Sequence, residues 1–172
     1  MKSILVHINR DEGQEARFQV ALDVGRAFEG HLTCLQISPL EAYLAADPYG
    51  IAFMLEQTLE QVRKEEDIER EAIELRLRTE GVNWDWHTHT GAPARLLAEI
   101  GALADLIVVS SPGGEWPARL EVPPTAADVL MRSHTPVLAV PDGVRGMDCS
   151  GVAVVAWNGS PEASQAVRAA MP

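Results

Sequence analysis

Apolar and polar positions along this chain follow two rhythms, and the switches between them lay out its elements. Ile4-Leu5-Val6-His7-Ile8 is a short apolar run rich in β-branched residues, the pattern of a buried strand. From Asp11 the period changes. Phe18, Ala21, Gly25 and Phe28 recur at helical spacing, Asp11 and Gln14 stand three apart like a capping box, and Gly30 closes the helix. His31 to Ile37 predicts a second strand, and the prolines Pro39 and Pro48 with Gly50 make the stretch from Ser38 to Phe53 partly irregular. A long helix is expected from about Leu55 to Glu80, its exposed face carrying the acid-before-base pairs Glu60/Lys64, Glu66/Arg70 and Glu74/Arg78. Val82 to Trp86 alternates with period two and predicts a strand that turns Val82, Trp84 and Trp86 inward.

Pro93 opens a further helix with Leu96, Leu97, Ile100 and Leu103 on its core side. Leu106 to Val109 is unbroken in hydrophobicity and predicts a central strand. A helix then starts near Thr125, with Asp128 as its capping partner, and Pro136 to Pro141 reads as an edge strand bounded by prolines. Strands alternating with helices imply an α/β fold: a Rossmann-like three-layer sandwich with a five-stranded parallel sheet and right-handed crossovers. In such a sheet ligands bind beyond the carboxyl ends of the strands, so the turns after Ile8, Ile37, His89 and Val109 are the places to inspect.

The last residues, GVAVVAWNGSPEASQAVRAAMP, begin another apolar strand and another helix. Displaced by 149 positions, Asn158 falls on Asn9, Val155 on Val6, Val167 on Phe18, Ala170 on Ala21 and Met171 on Leu22. The match is that of an internal repeat, the start of a second copy of the first unit. The expected organisation is one domain over 1–144, a linker over 145–151, and the first strand and partial helix of a second, incomplete domain over 152–172. Left alone, the strand from Val152 to Trp157 would be an exposed apolar edge, so it is expected to pair with a partner chain or with the sheet itself.

Charge narrows the partners. A formal net charge of −11 repels nucleic-acid backbones and anionic membranes, which makes both poor partners. The two cysteines, Cys34 and Cys149, have neither disulfide nor metal-ligand spacing, which points to a reducing cytoplasm. The N-terminal apolar run is too short for a signal peptide, and no stretch is long enough to span a bilayer.

The strand-end Asn9 and its repeat in AWNGSPEASQAV, the segment GAPARLLAEIGALADLIVVSS and the segment HTPVLAVP together resemble the universal stress protein family. The resemblance covers essentially the whole chain, and the tail is similar to the second-domain opening of tandem members. It implies the strand order 3-2-1-4-5, with the strand Val137 to Val140 at the edge that joins two domains or two chains, hence a homodimer or tandem pseudo-dimer. It also implies where ATP would bind. A carboxylate usual at the end of the first strand is replaced here by Asn9, and the phosphate-loop positions are Ser110, Gly113, Pro123 and Pro124, where the family has three glycines and then a hydroxyl residue.

The implied ATP site is therefore a degenerate one made of Asn9, Ile37, Ser110, Gly113 and Thr125. Pro123 and Pro124 lack the N–H that would meet a phosphate, and Glu115 and Glu121 add negative charge to the same loop. Two functions follow. One is a non-catalytic stress-response module acting through dimerisation and protein contacts. The other is an ATP-binding, weakly hydrolysing stress protein whose competent site needs the second domain, where Asn158-Gly159-Ser160 lies closer to the family's first-strand motif.

The remaining constellations carry less. Asp85, His87 and His89 share one face of a strand, but a polar strand face explains them without a metal. Asp11 and Glu12 sit where a phosphorelay receiver has its acidic pair, yet Thr88-His89-Thr90 and Pro141-Asp142 stand where that mechanism needs an aspartate and a lysine. No G-x-G-x-x-G or Walker loop follows a strand, Ser110-Ser111 lies outside a G-x-S-x-G elbow, and Trp116 reads as packing. No assembled catalytic site is expected.

Overall fold

The computed structural model describes residues 1–38, 52–111 and 125–171. Five strands, β1 (Ser3–Ile8), β2 (His31–Ser38), β3 (Asn83–Thr90), β4 (Leu106–Ser111) and β5 (Val137–Pro141), form one sheet in the order β3-β2-β1-β4-β5. All neighbouring pairs are parallel, with Ile4 opposite Leu32 on one side and Leu106 on the other. Helices α1 (Gln14–Ala27), α2 (Ala52–Leu77), α3 (Pro93–Ile100), α4 (Thr125–Arg132) and α5 (Pro161–Ala170) complete the described elements. This is the expected sandwich and the expected strand order.

Alternation along each strand divides the core in two. Ile4, Val6, Ile8, Leu32, Cys34 and Val108 pack with α1 residues such as Phe18, Leu22 and Val24 and with Ile73 and Leu77 of α2. The opposite face sends Leu5, Leu35, Ile37, Ile107 and Val109 against Leu97 of α3 and Ala126 and Val129 of α4. β1 is buried from Ile4 to Ile8 because it has a strand on each side and a helix layer above and below. Close approach is built in at Gly25, where a side chain would overlap Leu32 and Val82. Helix α1 closes in a Schellman turn: Gly30 N donates to Gly25 O at 2.8 Å, Glu29 N to Arg26 O at 3.4 Å, and Glu29, rather than Gly30, takes the positive φ of 48°.

Four expectations need correction. Helix α1 begins at Gln14 with Gly13 as its N-cap and no side-chain cap, so Asp11 and Gln14 form no capping box; the Asp11 carboxylate turns to Arg17 instead. Leu103 falls in a 3₁₀ turn after α3, Gly101–Leu103, and is 94% exposed, because the tighter turn rotates it off the core face. None of the three acid-before-base pairs on α2 closes among the described residues. Glu66 accepts from Ser38 Oγ at 2.6 Å, Arg70 pairs with Glu74 at 2.6 Å, and Arg76 bridges to Glu80 and to Glu15 of α1 while lying over the Phe18 ring. A hydroxyl on β2 takes Glu66, and Arg70 one turn earlier on the same helix takes Glu74, choices that the acid-before-base spacing does not register.

The tail departs from expectation too. Residues 152–157 form no strand, and Val152, Val154, Val155 and Trp157 are exposed, so pairing with this chain's own sheet does not occur. The following turn and helix do form. Ser160 caps α5 by accepting from Ala163 N at 3.1 Å, although α5 buries no residue. The linker before it is pinned down, with Met147 N donating to Asp23 Oδ2 at 2.9 Å and Val144 and Cys149 packed on the core.

Candidate functional site at the ends of strands β1 and β4

β1 feeds α1 toward β2 on one side, and β4 feeds α4 toward β5 on the other, so the topological switch point lies between the carboxyl ends of β1 and β4. One side chain organises that point. Arg17, buried on the sheet-facing side of α1, donates Nε to His7 O at 2.5 Å and Nη2 to Asn9 O at 3.0 Å. Its Nη1 reaches both oxygens of Asp11, at 3.3 and 3.2 Å, and the Ser110 hydroxyl. A single guanidinium thus ties the last residues of β1 to the end of β4. Its planar fork suits this task, since it serves several acceptors at once without losing its charge.

Gly13 lets α1 begin close against the same strand ends. A Cβ there would overlap Ser110 Oγ and Asp142 Oδ1. Burial lowers the pKa of Arg17, while Asp11 above all, and also Asp142 and Glu69, raise it again. On the other face of β1, His7 is buried, its Nε2 has no partner among the described residues, and burial together with the Arg17 charge lowers its pKa to about 3. It is therefore neutral at any ordinary pH.

The residues expected from sequence are placed as follows. Asn9 and Ser110 do come together at the switch point, but both are engaged: Asn9 Nδ2 donates to Asp11 Oδ2 at 3.1 Å, and Ser110 Oγ accepts from Arg17. The Ile37 side chain is buried in the core beneath α3 and α4, and its backbone pairs in register with His89. Thr125 is the first residue of α4, half-buried, with Asp128 in the same first turn. Gly113, Glu115, Trp116, Glu121, Pro123 and Pro124 lie outside the described residues. Sequence reading missed Arg17. Its signal was a charged residue on the stripe it shares with Ala21 and Val24, both buried.

The polar face of β3 is equally occupied. Asp85 lies 3.1 Å from His87 Nε2 and 3.4 Å from His31 Nε2 of β2, and hydrogen bonds from Thr33 and His87 and the two histidines lower its pKa against the opposing effect of burial. His31 takes the place expected of His89. No group of three or more His, Cys, Asp or Glu side chains among the described residues is arranged to hold a metal ion. Among the described residues, a hollow of about 400 Å³ lined by Glu12, Glu15, Gln19, Gly143 and Arg145 among others lies beside the start of α1, and one of about 210 Å³ is lined by Gly25, Gly30 and Gly81 among others. No helix among the described residues is long and apolar enough to cross a membrane.

A doubly wound parallel sheet in this order, with helices on both faces and its open end at the β1–β4 switch point, defines a Rossmann-like α/β protein. The chain belongs to the universal stress protein family, whose model matches residues 1–141. Among solved structures it is similar to the universal stress protein UspA from Lactobacillus plantarum, at 23% identity and a TM-score of 0.62 over 81% of this chain and 97% of that one. A universal stress protein from Archaeoglobus fulgidus in complex with dAMP is 16% identical, with a TM-score of 0.52 over 81% of this chain and 98% of that one. A universal stress protein in complex with cAMP is 22% identical, with a TM-score of 0.51 over 83% of this chain and the whole of that one. At these identities the likeness is one of fold. No curated protein matches the chain.

Proposed function

We propose that this chain is a stress-response module that works through dimerisation and protein contacts rather than catalysis, and that the nucleotide site of its first domain is degenerate. The observation that carries the reading is the engagement of Asn9 and Ser110 by the protein's own Asp11 and Arg17. A nucleotide using either side chain must first displace a charge-assisted hydrogen bond, and the ligand's phosphates would approach the exposed Asp11 carboxylate. The half-buried β5 and the exposed apolar run from Val152 to Trp157 support a contact role, since both offer strand-forming backbone with few charges nearby. Free Cys34 and Cys149 suit a reducing cytoplasm.

A second reading is kept because structural neighbours were solved with dAMP and cAMP. In it, ATP is bound, and weakly hydrolysed, by a site that needs the second domain. Native mass spectrometry of the chain with and without Mg-ATP separates the two. The expected result is a dimer carrying no nucleotide. A stoichiometric nucleotide adduct would overturn the degenerate-site reading and show that the Arg17 and Asp11 contacts yield to the ligand.

A further inference from the structure

The geometry points to Asn158 as a site of spontaneous deamidation in the folded chain, with water as the co-reactant. The sequence has three asparagines, Asn9, Asn83 and Asn158, and of these Asn158 alone is followed by glycine. The reaction begins when the backbone nitrogen of the next residue attacks the side-chain carbonyl carbon, and a following residue without a Cβ leaves that approach open. Asn158 and Gly159 are both exposed, and Gly159 sits at a φ of +83°. The carboxamide is also oriented: Ser160 N donates to Asn158 Oδ1 at 3.0 Å. That N–H is aimed at the oxygen on which negative charge develops during the attack, the arrangement that stabilises a tetrahedral intermediate.

The other two asparagines lack these features. Asn9 precedes Arg10, and its Nδ2 is held by Asp11 at 3.1 Å. Asn83 precedes Trp84 and lies in the ladder opposite His31.

The atoms balance simply. A bond forms from Gly159 N to Asn158 Cγ as that nitrogen loses its proton to water. The bond from Cγ to the carboxamide nitrogen then breaks, and ammonia leaves. Water adds to either carbonyl of the resulting five-membered imide and reopens it, giving aspartate or an isoaspartate whose main chain runs through the β carbon. One water is consumed, one ammonia is released, and nothing is oxidised or reduced.

The product would matter locally. From Cys149 to Pro161 the chain has no charged residue, so the new carboxylate would be the first charge in the exposed apolar tail. The aspartate form keeps an acceptor for Ser160 N. The isoaspartate form adds a backbone carbon next to the residue whose hydroxyl caps α5.

The test is peptide mapping of the full chain held folded in mildly alkaline buffer, beside the same chain unfolded in urea. Trypsin releases Gly146–Arg168, and the expected result is a gain of about 1 Da on that peptide, resolved into two products, at least as fast folded as unfolded. The Asp142-Gly143 step lies outside this peptide, and fragment ions place the added mass on Asn158 rather than on Gln165, the other amide side chain in it. Gly159→Ala should slow the gain several-fold. The assignment is overturned if Asn158 stays intact in the folded chain while it converts in urea, or if Gly159→Ala converts at the wild-type rate. The covalent change is read directly and stands whether or not the tail is a contact surface.

Discussion

His7 should make the stability of this protein fall in mild acid by an amount set by one proton. Its imidazole is buried at the centre of the sheet, its Nε2 has no partner among the described residues, and its pKa is lowered from 6.5 to about 3, first by burial and then by the Arg17 charge. Above the unfolded pKa neither state holds the proton and the group has no effect. As the pH falls below 6.5 the unfolded chain takes up a proton that the folded chain refuses, so stability drops until the folded pKa near 3 is reached. The slope approaches about 1.4 kcal/mol per pH unit, which is roughly 2 kcal/mol between the unfolded pKa and about pH 5. That is a large share of the 5–15 kcal/mol typical of a domain.

The assay is urea unfolding at about pH 7, 6 and 5, on the wild type and on His7→Leu, which keeps an apolar side chain of similar volume without the titrating group. Carboxylates titrate in both proteins and cancel in the difference. The wild type should lose roughly 2 kcal/mol relative to the variant across that range. Parallel pH profiles, or an imidazole resonance of His7 that titrates near its unperturbed value in the folded chain, would refute the reasoning.

Two further outcomes are expected. Arg17→Met strips the donor from His7 O and Asn9 O and from the Ser110 hydroxyl, and should cost roughly 3 kcal/mol in urea unfolding, because buried carbonyls lose their partner while the partly exposed Asp11 regains water; a loss below about 1 kcal/mol would mean that solvent replaces the guanidinium. Val154→Asp, at a position 93% exposed, should change the unfolding free energy of the monomer little, within about 0.5 kcal/mol in urea unfolding, yet weaken self-association in sedimentation velocity if the tail is the contact surface; an unchanged dimer would exclude the tail from the interface.

Much of the fold was legible because its signals are local. The run Ile4 to Ile8 and the run Leu106 to Val109 are buried strands, and Pro93 opens α3, each as its own few residues dictate. Where a local rule failed, a distant partner had won. Gln14 lost its capping role because Asp11 is drawn to a guanidinium, and Glu66 left its helix neighbour for a hydroxyl on β2. The candidate site was half legible: Asn9 and Ser110 were placed together, but the side chain that engages them was not foreseen.

The sequence by itself determined the order and kind of the elements and which side of each is apolar, because hydrophobic periodicity acts over a few residues and burial enforces it. Tertiary structure alone decided how the strand ends are closed. Arg17 and Ser110 are 93 residues apart in the chain, and only the 3-2-1-4-5 order brings β4 beside β1 so that one buried charge can serve both. It also decided that the tail, an apolar strand by its pattern, stays unpaired here, since a strand needs a neighbour's hydrogen bonds and no stretch of sequence can supply those to itself.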